Sequence, residues 1–108
     1  MSNYQPELKG HIDIFTAQQE EEFEGEISKW NEVLIHGDPE GLRSLAALLI
    51  RIADADQSTI PAGAREHVHL RPDHDLSKSS EQVIIGRLDA KGSGDFYKRY
   101  IPATTKQD

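Results

Sequence analysis

The strongest local constraint in this chain is the helix entry at Asp38-Pro39-Glu40. An aspartate at the N-cap, a proline at the first helical position and an acid in the first turn satisfy a helix start in three ways. The carboxylate accepts from a free backbone amide, the proline has no donor to waste, and the acid complements the positive end of the helix dipole. From Leu42 onward the apolar residues Leu42, Leu45, Ala46, Leu49, Ile52 and Ala53 recur at helical spacing. Arg43, Ser44, Arg51 and Asp54 fall together on the opposite side. Leu48 and Ile50 widen the apolar arc to roughly 200° at ~100° per residue, broader than one packed face requires. The spacing predicts one long helix over about 39–55, wedged against more than one surface, followed by a Pro61- and Gly63-containing loop over 58–64.

On both sides of this helix the period changes from helical to alternating, which points to strands. Ile12 and Ile14 alternate with His11, Asp13 and Phe15, a pattern that a short strand would give but that is too brief to require one. Thr16–Glu22 reads as a polar connector. Phe23–Trp30 alternates again and reads as an edge strand, because its glutamates would discourage pairing with another chain. Trp30-Asn31-Glu32 then turns into a strand at Val33–His36, which Gly37 ends. Beyond the helix, Arg65–Leu70 alternates with His67 and His69 on one face and Glu66, Val68 and Leu70 on the other. Pro72–Ser80 is a polar loop. Gln82–Leu88, apolar on both faces at Val83-Ile84-Ile85, reads as a central strand, joined through the turn Ala90–Gly94 to a closing strand at Phe96–Ile101. The expected fold is α+β: an antiparallel sheet of four to five strands with the helix packed on one face. It forms one domain over residues 1–108, with a loose arm at 1–10 and a frayed tail at 102–108.

Composition narrows the function classes. The 108 residues contain no cysteine, so there is no disulfide framework, thiolate metal site or cysteine nucleophile. The segment MSNYQPELKG has no basic region followed by an apolar one, and no apolar run approaches the ~18 residues of a spanning helix. These features lead us to expect a cytoplasmic protein with no membrane partner. The net charge of −7 is unevenly spread. Residues 1–56 hold twelve acids and four bases, whereas residues 57–108 hold seven acids and eight bases. Such a balance disfavours direct nucleic-acid binding, which needs a basic face. An acidic half suits the steering of a basic protein partner, and it also serves solubility.

Histidine is the one residue type here with metal or catalytic potential. His67 and His69, about 7 Å apart on one side of a strand, could share a zinc ion, with His36 on another strand, or Asp73 and Asp75 in the loop, completing the sphere. The alternative is that the pair simply lines a polar sheet face. His74, Asp75 and Ser77 include the residue types of a hydrolytic triad, but neighbours this close on a loop suit a turn better. Gly92-Ser93-Gly94 lacks the helix and the lysine of a phosphate cradle. Arg87, Lys98 and Arg99, beside Tyr97 and Tyr100, form a small basic spot suited to pairing with the acidic half.

Three stretches taken together carry a family likeness: Ile35-His36-Gly37-Asp38-Pro39-Glu40-Gly41-Leu42-Arg43-Ser44-Leu45, Glu66-His67-Val68-His69-Leu70 and Ser80-Glu81-Gln82-Val83-Ile84-Ile85-Gly86. Over roughly residues 33–88 the chain resembles immunity protein family thirty-two of bacterial polymorphic-toxin systems. The resemblance implies a short α+β domain without catalytic residues or cofactor, which binds a cognate toxin in the producing cell's cytoplasm and blocks it. It assigns no residue to that contact. The residues themselves offer Glu20, Glu21, Glu22, Glu24 and Glu26 as an acidic edge for a basic toxin, with Phe23 and Trp30 as anchors. A lone tryptophan in a small domain suits a core equally well. Two other readings stand beside this one: a metal-binding domain or small metal-dependent enzyme built on His67 and His69, and a homodimer formed through the over-wide helix face.

Overall fold

The computed structural model describes residues 7–105 of the chain. Two 12-residue strands, β1 (Ile12–Phe23) and β2 (Glu26–Gly37), form an antiparallel hairpin. They are followed by the helix α1 (Pro39–Asp54), a single 3-10 turn at Gln57–Thr59, and the short strands β3 (His67–Leu70) and β4 (Val83–Gly86), which pair antiparallel. Of the arm expected over 1–10, residues 1–6 lie outside the described residues, as do 106–108 of the expected tail. Leu8 packs against the core, and Ser44 Oγ donates to the Lys9 carbonyl at 2.9 Å.

The helix begins and ends where its chemistry requires. Asp38 Oδ1 accepts from Gly41 N at 2.7 Å and also from His11 N at 3.0 Å, so one carboxylate caps the helix and ties it to the start of β1. Gly41 is needed there because a Cβ would overlap the His11 carbonyl oxygen. At the other end, Arg87 Nη1 donates to the carbonyls of Ile52, Ala53 and Ala55 at 3.4, 3.3 and 3.0 Å. Ile52 O also accepts from Ala55 N at 3.3 Å, and a cation beside the carbonyls at a helix end opposes the negative end of the dipole. Asp89 holds Arg87 in place through Nε–Oδ1 and Nη2–Oδ2 bonds of 2.8 and 2.6 Å. The guanidinium in turn keeps the Asp89 carboxyl below the usual aspartate range. The expected basic spot is thus partly a helix cap.

Only part of the wide apolar arc is buried. Gly41, Leu45, Leu48 and Ile52 are buried, and the three large side chains join Ile12, Ile14, Val68, Leu70 and Leu76 in one cluster that draws on both sheets. Leu42, Leu49 and Ile50 remain exposed.

Several expectations about strands need correction. The single sheet of four to five strands is instead two separate two-stranded sheets, β1-β2 and β3-β4. The segment between β3 and β4 touches the edge of β1 only briefly: Ser77 N donates to Ile12 O and Glu81 N to Ile14 O, at 2.9 and 2.7 Å, after which β4 diverges. Val83–Gly86 is therefore not a central strand, and Ile84 is exposed. Thr16–Glu22 is no connector, and Trp30–Glu32 is no turn, because both lie inside the long strands. The hairpin reverses at Glu24-Gly25, where φ is 52° and 83°. Positive φ at both central positions gives the twist that a two-residue hairpin loop needs. No closing strand forms at Phe96–Ile101. Phe96 instead stacks edge-on against Tyr100, and the Arg65 guanidinium lies 3.8 Å over the Tyr97 ring. Arg65 Nη2 also donates to the Asp95 carbonyl at 2.7 Å, so side-chain contacts from Arg65 meet this segment in place of the expected ladder.

Candidate functional site in the projecting hairpin

Strand pairing dictates what the hairpin displays. On one face lie Ile14 with Ile35, Thr16 with Val33, Gln18 with Asn31, Glu20 with Lys29 and Glu22 with Ile27. On the other lie Phe15 with Leu34, Ala17 with Glu32, Gln19 with Trp30, Glu21 with Ser28 and Phe23 with Glu26. The first pairs of each face meet the body, whereas every residue from Glu20 to Val33 is exposed. The hairpin therefore projects. The radius of gyration is 17.1 Å, against about 13 Å for a compact chain of this length.

The structure brings all seven partner-binding candidates to this projection. Glu20 and Glu22 share one face, Glu21 and Glu26 the other, and Glu24 sits in the turn. Glu20 pairs with Lys29 at 3.6 Å, a contact that is solvent-exposed on both sides and adds little stability. Phe23 is 70% exposed and Trp30 41%, so the tryptophan is not a core residue. Where the hairpin meets the body, an open apolar groove of about 530 Å³ runs between Thr16, Val33 and Ile35 on one side and Glu81–Ile85 on the other, with Leu49 on the helix.

The histidine candidates are only partly assembled. His67 and His69 project together, their rings 5.1 Å apart and edge-to-face, and His67 Nδ1 lies 2.9 Å from the Arg65 carbonyl oxygen. His36 is on the other sheet, against Phe15, and Asp73 occupies a left-handed position in its loop. Among the described residues no three metal-ligating side chains are placed to hold an ion. Asp75 accepts from Arg71 N at 3.0 Å, as a turn residue does.

Sequence reasoning missed the partner of Ser77. Asp13 Oδ1 accepts from Ser77 Oγ at 2.6 Å, Ser79 Oγ at 2.7 Å and Ser80 Oγ at 3.4 Å. No imidazole lies between hydroxyl and carboxylate, so this arrangement does not activate a nucleophile. It fastens the 77–81 segment to β1. The bonds from Ser77 and then Ser79 hold the Asp13 carboxyl below its ordinary value of 3.8. A depressed folded-state pKa contributes stability that is complete above the unfolded value and lost as pH falls through the folded one. Asp13→Asn should therefore lower the urea midpoint near pH 7, and its deficit should close below pH ~4. A deficit that stays constant down to pH ~2.5 would assign the effect to geometry rather than to charge.

The class the fold defines is a small α+β protein with a projecting, acidic hairpin. The chain belongs to the Immunity protein 32 family: the model of that family matches residues 32–88, more than half of the 108 residues. The match agrees with the resemblance drawn from residues 33–88 and begins close to where β2 rejoins the body. No curated protein and no solved structure matches the chain. Among the described residues, no helix is long and apolar enough to cross a membrane.

Proposed function

We propose that this chain is a non-enzymatic immunity protein that binds and neutralises a basic bacterial toxin through the projecting hairpin, within the cytoplasm of the producing cell. Family membership supports the toxin-neutralising role. The observation that supports the surface is the concentration of five glutamates between positions 20 and 26 around an exposed Phe23, on an arm clear of the body. Glutamates at the tip attract a cationic partner over distance. Aromatic side chains beside them supply the contact area that holds it.

The test is to mix the purified chain with the toxin domain encoded beside it. The expected result is a one-to-one complex and loss of toxin activity, with growth restored when the two are co-expressed. Absence of a complex at micromolar concentration would end this reading. Exposed Leu42, Leu49 and Ile50 favour a second reading, self-association through the helix, which sedimentation of the isolated chain separates.

A further inference from the structure

The two sheets leave strand edges open toward a shared groove, and the register shows which backbone groups face it. Asp38 N donates to His11 O at 3.1 Å, which makes 11/38 a hydrogen-bonded pair and, by alternation, 13/36, 15/34 and 17/32 as well. Ile12, Ile14, Thr16, Gln18, Glu20 and Glu22 therefore turn their N–H and C=O groups away from β2. The segment 77–81 takes the Ile12 carbonyl through Ser77 N, and both groups of Ile14 through Ser80 Oγ and Glu81 N. From Thr16 to Glu22, among the described residues, nothing pairs with them. The same alternation holds in β4. Arg87 N donates to Glu66 O at 2.8 Å, so Val83 and Ile85 bond to β3 while Gln82, Ile84 and Gly86 face outward without a backbone partner among the described residues. The apolar groove lies between these two edges.

We propose that an extended segment of the toxin pairs as an added strand with the free edge of β1 from Thr16 to Glu22, one end entering the groove beside β4. This deepens the reading given under Proposed function and rests on it. Seven residues of edge span about 20 Å. Charge selects the occupant. A second copy paired edge to edge would crowd Glu20, Glu21 and Glu22 of both copies along the same short span with no base on either β1 edge, a repulsive concentration of like charge. A segment with Lys or Arg opposite Glu20 and Glu22, and apolar residues where it meets Val33, Leu49 and Ile84, complements each position. The edge of β2 is the wrong choice for such a strand, since its outward residues Ile27, Lys29, Asn31, Val33 and Ile35 include a base and no acid. The glutamates thus guard the edge against self-pairing while admitting a cationic strand.

Residue-resolved amide exchange of the chain, free and bound to the toxin domain encoded beside it, tests this directly. The outward amides of Thr16, Gln18, Glu20 and Glu22 should slow at least ~10-fold on binding, while those of Lys29, Asn31 and Val33 do not. A complex in which the β1 amides are unchanged would overturn the added strand and leave the toxin-binding reading standing. No complex at all removes both. Gln18 and Asn31 sit directly opposite each other with outward N–H groups, so Gln18→Pro and Asn31→Pro delete one outward donor from each edge at matched positions. With circular dichroism showing both variants folded, Gln18→Pro should weaken toxin binding ~10-fold or more and Asn31→Pro should not. Equal losses, or none, would overturn the proposal.

Discussion

Leu48→Ala is expected to lower the unfolding free energy by about 2–5 kcal/mol, and Leu49→Ala by under about 1 kcal/mol. The two leucines are adjacent on one helix and chemically identical, yet Leu48 is 1% exposed and Leu49 45%. Removing the Leu48 side chain leaves a void among Leu45, Ile52, Val68 and Leu70 that surrounding atoms refill only in part. At Leu49 the loss falls on the rim of an open groove, where water takes the place of the missing carbons. A domain of this size has a total stability of roughly 5–15 kcal/mol, so the first variant should be visibly close to unfolding at ambient temperature. Urea midpoints measured for both settle the matter. Equal shifts would mean that the helix is rotated relative to the sheets from the position described.

Neutralising Glu20, Glu21, Glu22, Glu24 and Glu26 to glutamine should slow association with the toxin domain by ~10-fold or more at low salt, with a smaller effect on dissociation from the opposed pairs at Glu20 and Glu22. Exposed charges act over a Debye length of about 8 Å at physiological ionic strength, so they work mainly before contact. The same substitutions should flatten the salt dependence of the association rate. Phe23→Ala and Trp30→Ala should instead act on dissociation, since their exposed rings are lost from the contact rather than from the approach. Stopped-flow mixing across a salt series reads both effects. An association rate indifferent to the glutamates would reduce the acidic tip to a guard against unwanted strand pairing.

The helix and the alternating His67–Leu70 strand were legible in the sequence because each is written in a local code. Asp38 caps the amide three residues on, and the burial of Val68 and Leu70 follows from period two alone. The hairpin was legible only at its ends. Its middle, Gln18 to Glu22, lacks the β-branched and aromatic residues that mark strands, so it reads as a connector until pairing with Ile27–Asn31 is seen. The one signal that could have placed the reversal is the glycine at position 25, within an otherwise alternating stretch. Val83-Ile84-Ile85 has the composition of a central strand, yet it borders a groove, because the 77–81 segment reaches β1 through only two backbone amides. Arg87 acts on carbonyls more than thirty residues away in sequence, a distance over which no local pattern carries information. The candidate site follows the same division. Its charged and aromatic residues were legible as a cluster, whereas their projection from the body came from the length of the strands.

An arm that contributes almost nothing to the core is free to change without endangering it. The core draws on Ile12 and Ile14 from the base of the hairpin, and on nothing beyond Thr16. Substitutions at the tip are then thermodynamically cheap, and a lineage can explore new surface chemistry there while the body continues to fold as before. The family match spans β3, β4, the helix and the last part of β2, but not the turn at Glu24-Gly25. Such a division leaves fewer than twenty residues between Thr16 and Val33 open to change while the body keeps its packing.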